Sequence, residues 1–373
     1  LESGGFRVFI LPQSIAMSAD EVARVREFAE NGGTVIADYR LARMNEHGRD
    51  LGQGQLDALF GIARGVTQPA AAGPVRGIAD FRGVQLKGKS WNLKTGETNL
   101  ELHGGTALAQ QGNVPAVIVR EVGKGLAAYL NLELFPYQHW RVRPGPEAPV
   151  RELMGALLAQ AGIQPRVRVL DSQGAPVPAV EAVVYDFGGQ QLVAVFRNPQ
   201  VDPGGWADGP RVPERGWSEE VDNSALEMPV EATVHLPEGF HVYDVRGAKA
   251  LGQVSTLRAR IDPWTPLVFM LSPTPISGLK LRAPSTLPHG RKAEIEAQIE
   301  DQPVVVQPRI VRLEVFDPAG KLVEHYSGNI RFEGALGKLE IPFAWNDSPG
   351  AWRVCAREIA SGASAETTLQ VSS

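Results

Sequence analysis

Cysteine is almost missing from this sequence: Cys355 stands alone among 373 residues. An internal disulfide framework and every multi-cysteine zinc or iron-sulfur site are therefore excluded, and the redox compartment stays open. A basic stripe is missing as well. Lys and Arg number 37 against 42 Asp and Glu, a formal net charge of -5, without the clustering that phosphate-backbone binding needs, so nucleic acid is not an expected partner. No apolar run reaches the roughly 18 residues that would indicate a membrane span. Histidine is sparse and scattered, at His47, His103, His139, His235, His241, His289 and His325, with no helix-spaced ligand pair. No metal or cofactor is expected. Neither an initiating methionine nor a signal peptide opens the chain, which starts Leu1-Glu-Ser-Gly-Gly, and this reads as a piece of something larger. What is abundant is glycine, 40 residues, and proline, 28, within a 43% hydrophobic composition. That describes a turn-rich, largely β chain with apolar material for more than one core and two or three domains.

The first segment reads β-α-β. Phe6 to Leu11 is a short apolar run, and Ser18-Ala-Asp-Glu21 is a capping box that starts a helix. Val22, Val25, Phe28 and Ala29 share one face, Asn31-Gly32-Gly33 stops the helix, and Thr34 to Ala37 forms the next strand. Two buried-type strands joined by a crossover helix imply a parallel pair. A short helix follows at 55 to 60, then strand-like pieces at Val84 to Leu86 and Ala116 to Val119, a Gly123-Lys-Gly125 turn, and a strand from Leu126 to Leu132. Val150, Leu153, Leu157 and Ala161 mark a closing helix that ends at Gly162. After Pro165 the hydrophobic period changes from helical to two. Strands are expected at Ala182 to Tyr185, Leu192 to Phe196, Val230 to Leu236, Leu257 to Ile261 and Leu267 to Leu271. Pro273-Thr-Pro275 reads as a stiff linker, beyond which strands recur around Ile295, Leu313, Ile341 and Val354. The expected fold class is a multi-domain α/β plus all-β chain: an α/β domain over 1–164, a β-sandwich over 165–273, and an immunoglobulin-like β domain over 274–373. Pro199 to Pro229, with Pro203, Pro210, Pro213, Trp206 and Trp217, breaks the strand rhythm and reads as a long loop.

An α/β sheet of this kind could carry a cysteine amidotransferase, whose nucleophile sits on a sharp turn after a strand. Here that turn is Ala37-Asp38-Tyr39-Arg40, which has no thiol, and Asn131-Leu132-Glu133 at another strand end has no histidine. Glutaminase chemistry is excluded on residue types. Cys355 reads as a small buried hydrophobe rather than a reactive thiol. Asp38, Tyr39, Arg40, Glu46 and Glu133 form a candidate crevice, because open α/β sheets bind ligands at the carboxyl ends of their strands; a surface ion-pair network is the competing reading. Gly123-Lys-Gly125 lacks the remaining glycines and the Ser or Thr of a phosphate loop and reads as a hairpin turn. Trp206 and Trp217 are candidates for carbohydrate stacking or a partner surface, or for packing onto their own domain.

The succession Ile10-Leu-Pro12, Met17-Ser18, Glu30-Asn-Gly-Gly-Thr34, Asp38-Tyr39-Arg40, Asn45-Glu46, Gly123-Lys-Gly125 and Tyr129-Leu-Asn131 resembles the middle domain of glycoside hydrolase family 42 β-galactosidases. The resemblance implies an amidotransferase-like, flavodoxin-like fold without amidotransferase catalysis, which mediates trimerisation. It also implies that strands, a helix and a catalytic barrel precede Phe6 in the family. Because the family's catalytic glutamates lie in that barrel, no catalytic residue is carried onto this chain. Residues 166–272 are similar in placement to the small β domain of such enzymes. The Asp317-Pro-Ala-Gly-Lys321 and Ser348-Pro-Gly-Ala-Trp352 segments look like macroglobulin-type or other immunoglobulin-like modules of bacterial surface and periplasmic proteins. The resulting expectation is a non-catalytic assembly region of a larger carbohydrate-active or surface protein, forming a homotrimer. The alternative is a small-ligand or carbohydrate-binding module using the crevice or the tryptophan loop.

Overall fold

The computed structural model describes residues 5–67, 73–91, 93–132, 148–197, 227–301, 309–332 and 336–372. Two compact units divide the chain, Leu1–Pro165 and Arg166–Ser373.

In the first unit, β1 (Val8–Leu11) and β2 (Thr34–Asp38) lie parallel, with Val8 opposite Thr34 and Leu11 opposite Ala37. The helix between them, α1 (Ala19–Glu30), starts at the Ser18 cap: the Ser18 hydroxyl accepts from Glu21 N, and the Glu21 carboxylate accepts from Ser18 N at 2.7 Å. Both orphan amides are thus satisfied, an arrangement worth about 1 kcal/mol. The chain leaves α1 through Gly33, whose amide donates to Phe28 O at 2.9 Å, and runs straight into β2. β9 (Gly125–Leu130) adds a third parallel strand against β2, and β8 (Val114–Val122) joins it as an antiparallel hairpin through Gly123-Lys124. A Cβ at Gly123 would lie 2.4 Å from Glu30 O, and one at Gly125 would lie 2.2 Å from Ala29 O. The hairpin therefore presses directly on the end of α1, which is why this turn is glycine on both sides. Beyond β8 the sheet continues antiparallel through β7 (Thr106–Gln111), β4 (Val75–Gly77) and β5 (Ser90–Trp91), giving seven strands in all.

Alternate residues of the central strands feed two cores. Val35, Ala37, Ala127 and Tyr129 pack with Val22, Val25 and Ala29 of α1 on one face. Ile36, Ala128 and Leu130 pack on the other face with Leu153 and Leu157 of α3 (Ala148–Gln160), together with Trp91 and Leu86. Burial on both faces explains why β2 and β9 read as continuous apolar runs rather than alternating ones. Val84 to Leu86 is not a strand: Val84 closes a tight bridge with Phe81, and the Asp80 carboxylate accepts from the amides of Leu86 and Lys87 at 2.9 and 2.8 Å. The apolar side chains there fill a core from a turn, which periodicity cannot distinguish from a strand.

Among the described residues the second unit is antiparallel except at one pairing. β10 (Arg168–Leu170), β13 (Val230–His235) and β16 (Thr256–Ile261) form one sheet; β11 (Val180–Phe187), β12 (Gln190–Arg197), β17 (Leu267–Ser272), β14 (His241–Asp244) and β15 (Lys249–Gly252) form another. Val169, Ala232, Val234 and Ile261 from the first meet Val193, Val195, Val242 and Phe269 from the second in a common core. After Pro273-Thr-Pro275 a second pair of sheets encloses its own core. β18 (Ile276–Arg282), β20 (Lys292–Asp301) and β23 (Leu336–Pro342) make the smaller sheet. β19 (Thr286–Pro288), β25 (Ser364–Ser372), β24 (Gly350–Glu358), β21 (Arg309–Phe316) and β22 (Gly328–Phe332) make the larger one, in that order. β25 thus lies inside its sheet, parallel to β19 and antiparallel to β24, with Leu369 and Val371 fully buried. Ile276 N donates to the Tyr243 hydroxyl at 2.7 Å, tying the two halves of this unit together across the linker.

Cys355 corrects an expectation. It lies on the outward face of β24, between the buried Val354 and Ala356, and its thiol donates to Glu366 Oε2 at 3.3 Å. Desolvation and the Glu366 carboxylate raise its pKa. The β period places position 355 opposite to the core-facing Trp352, Val354 and Ala356.

Candidate functional site

Asp38 ends β2, where the carboxyl ends of three parallel strands meet. A cavity of about 280 Å³ opens there, lined by Leu11, Pro12, Ile36, Asp38, Leu130 and Met154 among others. Asp38 is 7% exposed, and its Oδ1 accepts from Gln13 N at 2.7 Å. Burial pushes its pKa up, and the Gln13 amide opposes that only in part. The backbone around it is unusual: Gln13, Arg40 and Ala42 take φ of 46°, 63° and 47°, a left-handed conformation that non-glycine residues adopt at a cost of order 1 kcal/mol or more each. These three residues turn the chain sharply after β1 and β2 and bring the Arg40 amide to the Glu97 carboxylate at 2.9 Å.

Glu97 belongs to a buried ionic cluster that no local motif announces. The Arg64 guanidinium, at the end of β3 (Ile62–Arg64), grips Glu97 through Nε to Oε1 at 2.8 Å and Nη2 to Oε2 at 3.2 Å. Its Nη1 donates to Asp57 Oδ1, and Nη2 also reaches the Tyr129 hydroxyl at 3.2 Å, which itself donates to Glu97 Oε2 at 2.6 Å. The side chains of Arg64 and Glu97 are 0% and 4% exposed. Burial alone would raise Glu97, but the hydrogen bonds and charge of Arg64 outweigh it and hold the carboxyl below its ordinary value. For Asp57 desolvation wins over Arg64 and the pKa rises; burial and the adjacent Glu97 carboxylate push the Tyr129 phenol well up. Asn131, one residue beyond Leu130, completes the clamp: its Oδ1 accepts from Glu97 N at 2.8 Å, and its Nδ2 donates to Glu97 O and Pro115 O at 2.8 and 2.9 Å. The arrangement cross-ties segments 40, 54–64, 97 and 129–131 beside the carboxyl ends of the inner strands β2 and β9. Two carboxylates converge on one guanidinium with their oxygens occupied by protein donors, an arrangement suited to positioning these segments.

Of the crevice residues named from sequence, Asp38 lines the cavity. Tyr39 packs its ring on Gly96, where a Cβ would lie 2.4 Å away, and so covers the segment that carries Glu97. Arg40 contributes through its backbone amide, while its side chain is exposed. Glu46 is exposed, and among the described residues its carboxylate meets the neighbouring His47, at 3.6 Å. Glu133, Trp206 and Trp217 lie outside the described residues. Arg64, Glu97 and Asp57 were missed; the one local hint is a small residue, Gly96, immediately before an acidic one, which is too common to count. Among the described residues no group of three His, Cys, Asp or Glu is placed to hold a metal ion, and no helix is long and apolar enough to cross a membrane.

The chain is similar in structure to a β-galactosidase from Bacillus circulans sp. alkalophilus, at 16% identity and a TM-score of 0.48, over 71% of this chain and 33% of that one. It is also similar to a glycoside hydrolase family 42 β-galactosidase from G. stearothermophilus, at 19% identity and a TM-score of 0.45, over 71% and 32%. The chain therefore spans about a third of the length of these solved relatives. No curated protein matches the sequence. A family model described as the beta-galactosidase trimerisation domain matches residues 3–163, the extent of the α/β unit built around β2, β9 and the Arg64 clamp. Over residues 3–163 the chain thus matches the β-galactosidase trimerisation domain family, and β-sheet domains follow that stretch.

Proposed function

We propose that this chain is a non-catalytic assembly region of a larger β-galactosidase-like protein and that its first unit brings three copies together. The observation that carries the reading is the family match over residues 3–163, whose description names trimerisation. Light scattering on the 373-residue chain over a concentration series tests it. A mass near 120 kDa, three times 40.2 kDa, is expected, and a 40 kDa species at every concentration would remove the assembly role from this chain.

The finer fold reading belongs to the same proposal: an amidotransferase-like, flavodoxin-like first domain, then immunoglobulin-like sandwiches over 165–273 and 274–373. Separate cores on either side of Pro273-Thr-Pro275 support two sandwiches. Two resolvable calorimetric transitions within the second unit would agree with it, and a single one would merge them.

A second reading is favoured by the cavity at Asp38, where a desolvated carboxyl and the left-handed Gln13 line an apolar pocket at the strand ends. It takes the crevice as a small-ligand site. A thermal-shift screen with small amines and monosaccharides should raise the midpoint of the native chain and leave Asp38→Asn unmoved. A flat response in both would retire this reading.

A further inference from the structure

Glu97 and Asp38 are both buried carboxylates of the first unit, but Glu97 has a cation at hand and Asp38 has none. The Arg64 guanidinium grips Glu97 at 2.8 and 3.2 Å. The donors at Asp38 are backbone amides, that of Gln13 at 2.7 Å and its own. Among the described residues no lysine, arginine or histidine is paired with Asp38 or lines its cavity. A carboxylate offers about four acceptor positions, and two amides fill about half of them. Holding the Gln13 amide calls for an oxygen but not for a charge, since an asparagine carbonyl would serve. A carboxylate kept from water without a counter-ion is costly to ionise, and a ligand that brings a positive charge removes that cost on binding.

The shape of the cavity follows from strand alternation. Asp38 stands opposite Leu130 in the pairing of β2 with β9, and Ile36, two residues before Asp38, faces the same side of the sheet. Met154 of α3 supplies another wall. Ile36 and Leu130 are 1% exposed, whereas Ile10 on the edge strand β1 is 47% exposed, so a buried apolar floor holds the carboxyl and the mouth lies at β1. At about 30 Å³ for each water-sized group, 280 Å³ takes a ligand of up to about nine non-hydrogen atoms. Strand ends in open α/β sheets commonly receive anions, because helix N-termini direct their amides there. Here the first turn of α1 carries Asp20 and Glu21, the Ser18 amide is already taken by Glu21, and the cavity itself contains a carboxyl. The sign of the site is inverted.

We propose, building on the small-ligand reading of this crevice, that the Asp38 cavity binds a primary ammonium on a short hydrocarbon body, an alkylamine or arylalkylamine of this size. The ammonium donates to the Asp38 carboxylate, and Ile36, Leu130 and Met154 enclose the hydrocarbon.

Calorimetric titration of the 373-residue chain at about pH 8 with phenethylammonium chloride and with phenethyl alcohol, its neutral isostere, tests this. The wild type should bind the amine about tenfold or more tightly than the alcohol. Asp38→Asn keeps an acceptor for Gln13 N and loses the charge, so the two ligands should bind it alike. Met154→Trp fills the cavity and keeps the charge, and it should weaken both ligands. Without ligand, Asp38→Asn should melt no lower than the wild type, which separates lost charge from lost folding. Equal binding of amine and alcohol to the wild type would overturn the proposal and leave the small-ligand reading standing, since the cavity would then take a neutral guest. Binding of neither would also overturn it, and the small-ligand reading would fall with it only if monosaccharides leave the thermal midpoint unmoved as well. An amine preference that survives in Asp38→Asn would overturn it by placing the ammonium elsewhere.

Discussion

Arg64 and Lys338 each hold two carboxylates, in opposite surroundings. Arg64 grips Glu97 and Asp57 in a sealed interior, whereas Lys338 meets Glu294 at 2.7 Å and Glu296 at 2.9 Å on an open sheet face with its side chain 49% exposed. On that face Glu294 stands directly opposite Glu340 in the register, and the diagonal contacts from Lys338 to Glu294 and from Lys292 to Glu340 relieve the like-charge pair. In the interior, water cannot stand in for a missing partner, so each group is committed to the others. On the surface water and salt can replace any of them. The lesson is that the interior cluster determines how segments of the first unit meet, while the surface ladder keeps a sheet face soluble and well registered.

The largest expected effect follows from removing the interior cation. Arg64→Ala strands two carboxylates and should cost about 3–5 kcal/mol, read as a lower urea midpoint for the first unit. Tyr129→Phe deletes one hydroxyl with almost no change in volume. Its loss, about 1–3 kcal/mol, reports the hydroxyl's bonds to Glu97 and Arg64, and an effect as large as that of Arg64→Ala would show that the cluster fails as a whole.

Titration sharpens the contrast within the interior. Glu97 is depressed below its ordinary 4.5, so its contribution is complete above that value and is lost as pH falls through the folded one. Asp38 is raised above its ordinary 3.8, so the sign reverses. Ionisation of the unfolded chain comes first, and the wild type should lose stability relative to Asp38→Asn as pH climbs from about 3.8 through the folded pKa, then level off. Paired thermal melts of Glu97→Gln and Asp38→Asn from pH 3 to 7 should therefore move in opposite directions against the wild type, and parallel curves would contradict the assigned environments. The smallest effect belongs to the ladder: Lys338→Ala should melt with the wild type in about 0.5 M salt, and a clear loss there would mean that the surface set is coupled as tightly as the buried one.

Much of the frame is legible in the residues. Ser18 and Glu21 announce the helix, Gly123-Lys-Gly125 announces the hairpin, and the period-two runs around Val193, Ile295 and Val354 announce their strands, because each signal is local. Strands such as His241–Asp244 and Ser364–Ser372 go unannounced because each turns only two side chains into the core, Val242 and Tyr243 in the first and Leu369 and Val371 in the second. The site divides the same way. Asp38 is visible as the end of an apolar strand, but the Arg64 clamp gathers residues 57, 64, 97 and 129 from four elements and follows from no spacing. Arg40 was picked for its charge, yet it acts through its main-chain amide.

One feature of the last sheet bears on how the protein is made. β25 lies between β19 and β24, so residues 364–372 are an interior plank rather than an edge. They leave the ribosome after every other strand of their own sheet. Until they do, the strands at 286–288 and 350–358 face each other across a gap one strand wide, with the pocket for Leu369 and Val371 unfilled. The first unit has no such wait, since its central strands are complete once residue 130 has emerged. Synthesis order therefore lets the first unit fold before this sheet closes and leaves the closing of the sheet as the step that a chaperone or a protease would meet.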